Sequence, residues 1–331
     1  MKRVPLFKSA CLLVLLLCTA MHVKTAFSAD PVFAREEEPI LPVPLKHDVS
    51  LRKAALGKRL FHETLLSGDN SLSCSSCHDV TRSGAEASSS STGIEGQKGV
   101  MNAPTVINSR FNFAQFWDGR ATNLREQAKG PITNPIEMGA TWKDVIAKLR
   151  RQPDYVRAFK EVYREGITED TIADAIQTYE YTLVSANSPF DQYLRGDDNA
   201  ISEQEKHGYK LFKEYGCITC HQGVNVGGNM FQRIGAFLPY FNEENTAQPE
   251  DLGRYNVTKD TRDLYVFKVP GLRMVTHTAP YFHDGSVATL GEAIDIMARY
   301  QLGYTISKSD NQDIQAFLGS LSGPFPHEET R

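Results

Sequence analysis

Cys74-Ser75-Ser76-Cys77-His78 and Cys217-Ile218-Thr219-Cys220-His221 repeat one pattern, C-x-x-C-H, 143 residues apart. It is the pattern of covalent c-type haem attachment, in which two thiols three residues apart each add to a vinyl group of one porphyrin. The histidine that follows is placed under the ring, where its imidazole binds the iron. A disulfide, a thioredoxin-like redox pair or half of a zinc site would use the same spacing. The terminal histidine argues against the redox pair, and zinc would require a second ligand pair. Of six cysteines, Cys11 and Cys18 fall in an export signal, so the two motifs use every cysteine of the mature chain. The sequence therefore predicts two covalently bound haem c groups. Cys74, Cys77, Cys217 and Cys220 tether them, and His78 and His221 bind their irons.

Residues 1–28 read as a secretory signal peptide. Lys2, Arg3 and Lys8 give a basic start, Cys11 to Ala20 an apolar run, and Ala26-Phe27-Ser28 small residues at a cleavage site. The run is short for a transmembrane helix, and Leu17 is larger than lipoprotein processing at Cys18 prefers. A soluble, periplasmic protein with no membrane anchor is expected. Cleavage removes four basic residues and no acidic ones, leaving 32 basic against 40 acidic residues and a formal charge of −8. That balance argues against nucleic acid, which needs a basic face. It suits the steering of a positively charged partner such as a small basic cytochrome.

About 300 mature residues suggest two domains. Leu56-Gly57-Lys58-Arg59-Leu60-Phe61 and His207-Gly208-Tyr209-Lys210-Leu211-Phe212 each precede a haem motif. This internal repeat fits two cytochrome c-like helical domains, 29–195 and 196–331, with long connecting loops and a mainly α fold. Residues 29–50 read as an extended surface arm, and 83–99 and 223–262 as loops. Helices are expected from Leu51 and at about 141–151, 155–164 and 169–185. Ser202-Glu203-Gln204-Glu205 caps a helix that Gly216 ends, Thr289-Leu290-Gly291-Glu292 starts one through about Tyr300, and Ser309-Asp310-Asn311-Gln312 caps the last. His62 and His207 read as surface or packing residues. Met297 shares a helical face with Leu290 and Ile294 and is the candidate second axial ligand of the second haem; a core methionine would show the same periodicity.

Around the two motifs the chain resembles the bacterial di-haem cytochrome c peroxidase family, from Leu56 to about Gly323. The shared stretches are Leu66-Ser67-Gly68-Asp69-Asn70-Ser71, Asn102-Ala103-Pro104-Thr105, Gln115-Phe116-Trp117-Asp118-Gly119-Arg120, Glu126-Gln127-Ala128 with Gly130-Pro131, Asn134-Pro135-Ile136-Glu137-Met138, Lys268-Val269-Pro270 and Pro280-Tyr281-Phe282-His283-Asp284-Gly285. Each is weak alone, but this order around two C-x-x-C-H runs is specific.

The resemblance implies a low-potential peroxidatic haem on His78 and a high-potential electron-entry haem on His221 and Met297. It implies that Glu137 moves the proton between the peroxide oxygens, that Gln127 holds peroxide or water, and that Pro131 shapes the pocket. Trp117 is implied to mediate electrons between the haems. A calcium ion is implied on the Asn102 side chain and the Thr278 and Pro280 carbonyls. Hydrogen peroxide is the implied substrate, with a small periplasmic cytochrome c or cupredoxin as donor. Members are often homodimers, although no stripe in this sequence marks a dimer face.

One departure stands out. Many members carry a histidine in the loop after the first haem, closing that iron until the other haem is reduced. Ile94 occupies that position, and no histidine occurs between His78 and His207. The first haem is therefore expected to be five-coordinate or water-bound at rest, and active without prior reduction. Two alternatives remain: a related di-haem enzyme that oxidises residues of a partner protein, which Met297 disfavours, and a non-catalytic di-haem electron carrier.

Overall fold

The computed structural model describes residues 38–46, 48–241 and 246–326. The expected signal peptide lies outside them. In chain order the helices are α1 (Leu51–Phe61), α2 (Cys74–Cys77), α3 (Leu124–Thr133), α4 (Trp142–Arg150), α5 (Pro153–Val162), α6 (Glu169–Glu180), α7 (Pro189–Leu194), α8 (Glu203–Glu214), α9 (Tyr255–Thr258), α10 (Leu290–Ile296) and α11 (Lys308–Ser320). The strands β1 (Phe231–Arg233) and β2 (Val266–Lys268) pair antiparallel, with Phe231 opposite Lys268. The fold is mainly α, as expected. No helix of the described residues is long and apolar enough to cross a membrane.

The repeat before each haem motif has a structural meaning. α1 packs on α6, and α8 on α11. A Cβ on Gly57 would collide with the Ala175 carbonyl, and one on Gly208 with the Asp313 carbonyl. Each glycine is the point where two helix backbones meet, and the leucine and phenylalanine that follow it fill the core alongside.

One core cluster joins Leu60 and Phe61 of α1, Val145 and Leu149, Phe159, and Ile172 and Ile176 of α6. The other joins Phe190 and Leu194, Tyr209 and Phe212 of α8, and Ile314 and Phe317 of α11. Each fully buried side chain of this size stabilises the fold by about 1.5–3 kcal/mol.

Ile40 also belongs to the second cluster. The segment expected as a surface arm is anchored there: Ile40 bridges Gly223, and the Val43 N–H donates to Asp191 Oδ1 over 3.1 Å.

Three local expectations shift. α6 stops at Glu180 rather than near 185, because the chain turns to give the Leu183 carbonyl to the Asn108 N–H. The last helix is capped by Ser307, whose Oγ accepts from the Asp310 N–H, and not by Ser309. The 223–262 loop region contains β1 and α9. The capping box at Ser202 and Glu205 is formed, and Gly216 follows α8 with φ 90°, a conformation that favours glycine.

Candidate haem sites and the cavity of the second motif

Ser73 opens the single turn of α2 with a reciprocal capping box to Ser76, which places Cys74, Cys77 and His78 on one turn. At the second motif Gly216 turns the chain so that Cys217–Thr219 form a 3-10 turn and Cys220 and His221 follow. In both motifs the imidazole has one fixed role. His78 Nδ1 donates to the Gly84 carbonyl over 2.9 Å, and His221 Nδ1 to the Val226 carbonyl over 3.2 Å. A carbonyl can only accept, so the Nε2 lone pair is left free for a metal. Burial lowers both imidazoles, His221 to about 4, which keeps them neutral.

The thiols point the same way. Burial pushes Cys74 up to about 12 and Cys77 and Cys217 to about 11. A catalytic redox pair needs the opposite, a stabilised thiolate. No group of three or more His, Cys, Asp or Glu side chains suited to a metal ion occurs among the described residues. The donor sets fit covalent porphyrin and fit neither a redox pair nor zinc.

One largely apolar cavity gathers Cys217, Cys220, His221 and Met297, with Leu290 and Ile294 beside the methionine. Met297 begins a π-helical stretch, Met297–Leu302, directly after α10. Such wide turns recur at functional sites, where they re-aim a side chain. The same cavity wall carries Trp117, Asn102, Thr278 and Pro280. Trp117 Nε1 donates to the Asn102 carbonyl over 3.0 Å, and the Asn102 N–H donates to the His283 carbonyl over 2.8 Å. The Asn102 amide donates from Nδ2 to the Ser88 carbonyl.

Around the first motif the side chains come from α3 and the turn after it. Gln127 and Pro131 are four residues apart and so share a face of α3. Pro131 has no N–H, which leaves the Gln127 carbonyl without its helical partner. The Gln127 side chain makes no hydrogen bond among the described residues and none to Glu137. Glu137 Oε1 accepts from Asn134 Nδ2 over 2.9 Å, and its charge acts on the Cys77 thiol. Burial raises the Glu137 carboxyl; the Asn134 hydrogen bond and the Arg120 charge oppose the rise without cancelling it.

Ile94 sits over this turn: its N–H donates to the Glu137 carbonyl over 2.8 Å. His62 stands exposed at the C-cap of α1, and His207 is exposed beside Asp313.

Phe116 and Arg120 were not singled out from the sequence. Phe116 has φ 66°, costly for a bulky residue. Its ring is clamped between α3 at Gly130 and the Arg120 guanidinium, 3.4 Å from the ring centroid. Asp118 holds that guanidinium with both carboxylate oxygens at 3.0 Å. Both residues lie inside a quoted family stretch, which was the available sign.

Residues 51–199 match the family described as di-haem cytochrome c peroxidase. The chain is 46% identical over 299 residues to cytochrome c peroxidase Ccp of Escherichia coli, covering 90% of this chain and 64% of that protein's length. It is 44% identical over 308 residues to cytochrome c551 peroxidase of Nitrosomonas europaea, covering 93% and 90%. A solved MauG-like protein associated with microbial copper homeostasis superposes with TM-score 0.74 at 30% identity, covering 88% of this chain and 95% of that one. With the peroxidases the nearer of these relatives and both haem motifs formed, the chain belongs to the di-haem cytochrome c peroxidase family, as a di-haem peroxidase.

Proposed function

We propose that the chain reduces hydrogen peroxide to two waters, taking two protons and two electrons, the electrons from a small periplasmic cytochrome c or cupredoxin. One observation carries this reading: a half-buried carboxyl, Glu137, stands near the first haem motif with its proton affinity raised. A general acid–base group works best when its affinity lies nearer the working pH. When bound, the haems supply the iron that accepts peroxide and the electrons that cleave it. Asn134 holds Glu137 Oε1, which leaves Oε2 to take the proton of the near peroxide oxygen and return it to the far one. Gln127 offers its amide to orient peroxide, and Pro131 shapes the wall beside it.

Met297 is proposed as the sulfur ligand of the second iron, a choice that favours the ferrous state and raises the potential. Trp117 is proposed as the electron bridge, since it lies on the second haem's cavity wall and is tied to Asn102. Calcium is proposed on Asn102 Oδ1 and the Thr278 and Pro280 carbonyls; the support is that all three residues line one cavity. Residues 29–195 and 196–331 are proposed as the peroxidatic and electron-entry domains of an exported protein.

The test is steady-state oxidation of reduced cytochrome c on adding peroxide, with Glu137→Gln as control. Rapid turnover in the wild type, lost by about 10²–10⁴-fold in the variant, is expected. Equally slow consumption by both proteins overturns the catalytic assignment and leaves an electron carrier.

A further inference from the structure

The cavity of the second haem motif has three cationic side chains on its wall, Arg233, Lys268 and Arg273, and no carboxylate. Arg273 is neutralised by Asp191, 2.8 Å away and equally buried. Arg233 is exposed and donates to the Arg262 carbonyl. Lys268 has neither outlet. It is 6% exposed on the cavity wall, and among the described residues only burial, and no hydrogen bond or ion pair, acts on its ammonium. A buried, unpaired cation is strongly disfavoured unless a counter-charge joins it; without one, burial pulls this lysine down to about 8.

The Lys268 backbone is held from two sides. Lys268 ends β2 opposite Phe231, and its N–H donates to the Trp117 carbonyl over 2.8 Å. The lysine is thereby fixed to the proposed bridge and to the cavity wall together. A porphyrin tethered through its vinyl groups presents its two carboxylates from the opposite edge. These are the anions that the cavity lacks.

We propose that the Lys268 ammonium is the counter-ion of a propionate of the haem tethered at Cys217 and Cys220. The pairing neutralises a carboxylate beside that iron, which favours the ferrous state, and it fixes the propionate edge next to the Trp117 backbone. Lys268 is a positioning and tuning residue, acting through the cofactor. The inference rests on the reading of Cys217–His221 as a haem site.

The test is a spectroelectrochemical titration of the haem-loaded protein. Lys268→Met is expected to shift the one-electron equilibrium of the methionine-ligated haem about tenfold toward the oxidised form, about 59 mV lower, with both haems retained and the other haem unmoved. Lys268→Arg, which keeps the charge, is expected to hold the wild-type value. An unchanged potential in a Lys268→Met protein carrying two haems overturns the inference. So does a crystal structure of the loaded wild type with Lys268 Nζ more than about 4 Å from every propionate oxygen. That structure decides the matter alone if the methionine variant does not mature. A wild type matured without the second porphyrin overturns instead the haem reading beneath it, so the two failures are distinguishable.

Discussion

Ile94 is hydrogen-bonded through its backbone N–H to the carbonyl of Glu137, and its Cδ1 occupies the space that a Cβ on Gly139 would need. The loop after the first haem motif is therefore docked on the turn that carries the proposed acid–base group. Gln97 Nε2 adds a bond to the Pro135 carbonyl over 3.3 Å. With isoleucine at this position the loop has no imidazole to offer an iron.

The fully oxidised protein is accordingly expected to show one high-spin and one low-spin ferric haem by EPR, and to turn over without prior reduction. Two low-spin haems, one of them with two histidine ligands, would contradict this. Gly139→Ala must displace Ile94 and strain a backbone with φ 55°. It is expected to cost about 1–3 kcal/mol and to slow turnover while leaving the spectrum of the second haem unchanged.

Glu137 must be ionised to take the first proton, and burial raises its affinity. The acid limb of kcat/KM should therefore lie above the range of an ordinary glutamate. Asn134→Ala removes a hydrogen bond that favours the ionised form. The limb should move to still higher pH, so that the variant loses more activity at pH 5 than at pH 7. A pH profile that keeps its shape in the variant argues against the role given to Asn134.

Glu180 lies buried in α6, with Oε2 unpaired. Burial pushes its carboxyl up from an ordinary 4.5 to about 8. The folded state prefers the protonated form, so this contribution is fully present below pH 4.5 and is lost as pH rises to about 8. Glu180→Gln is expected to match wild-type stability at pH 4.5 and to exceed it at pH 8, by on the order of 4 kcal/mol. Parallel stability curves from denaturant unfolding would show that the carboxyl is solvated.

Gly57→Ala and Gly208→Ala each place a methyl group against a facing helix carbonyl. Both should destabilise by about 1–3 kcal/mol or more, measured by the denaturant midpoint. The neighbouring exposed position Lys210→Ala serves as a control that should change little.

Met297→His replaces a thioether with a harder ligand at the head of the π-helical stretch. The second haem should then titrate at a lower potential, by on the order of 0.1 V within the ~0.8 V range that axial ligands span. An unmoved potential would mean that another group binds this iron.

The readable parts of the sequence were those whose cause is local. A capping box such as Ser202 with Glu205 is complete within four residues, and a C-x-x-C-H run carries its own chemistry. The last helix was misplaced by two residues because Ser307 and Ser309 offer the same hydroxyl, and only the path of the incoming chain decides between them. The paired glycines were visible as a repeat, but their meaning required knowing that α1 faces α6 and α8 faces α11. Phe116, Arg120 and Lys268 stood in quoted stretches with no role to assign. A clamp around a ring and a cation without a counter-charge exist only once distant segments have met.

The anchoring of Ile40 and Val43 bears on how the molecule is assembled. Ile40, near the start of the described residues, closes a core that α11 builds, so the seat for this segment is completed only after residues 308–320 have been made. The core beside the second haem motif thus depends on residues that precede the first motif. Cutting the gene between the two motifs would leave the later half with an open flank where Ile40 belongs, and grafting it elsewhere would require carrying this leading strap along.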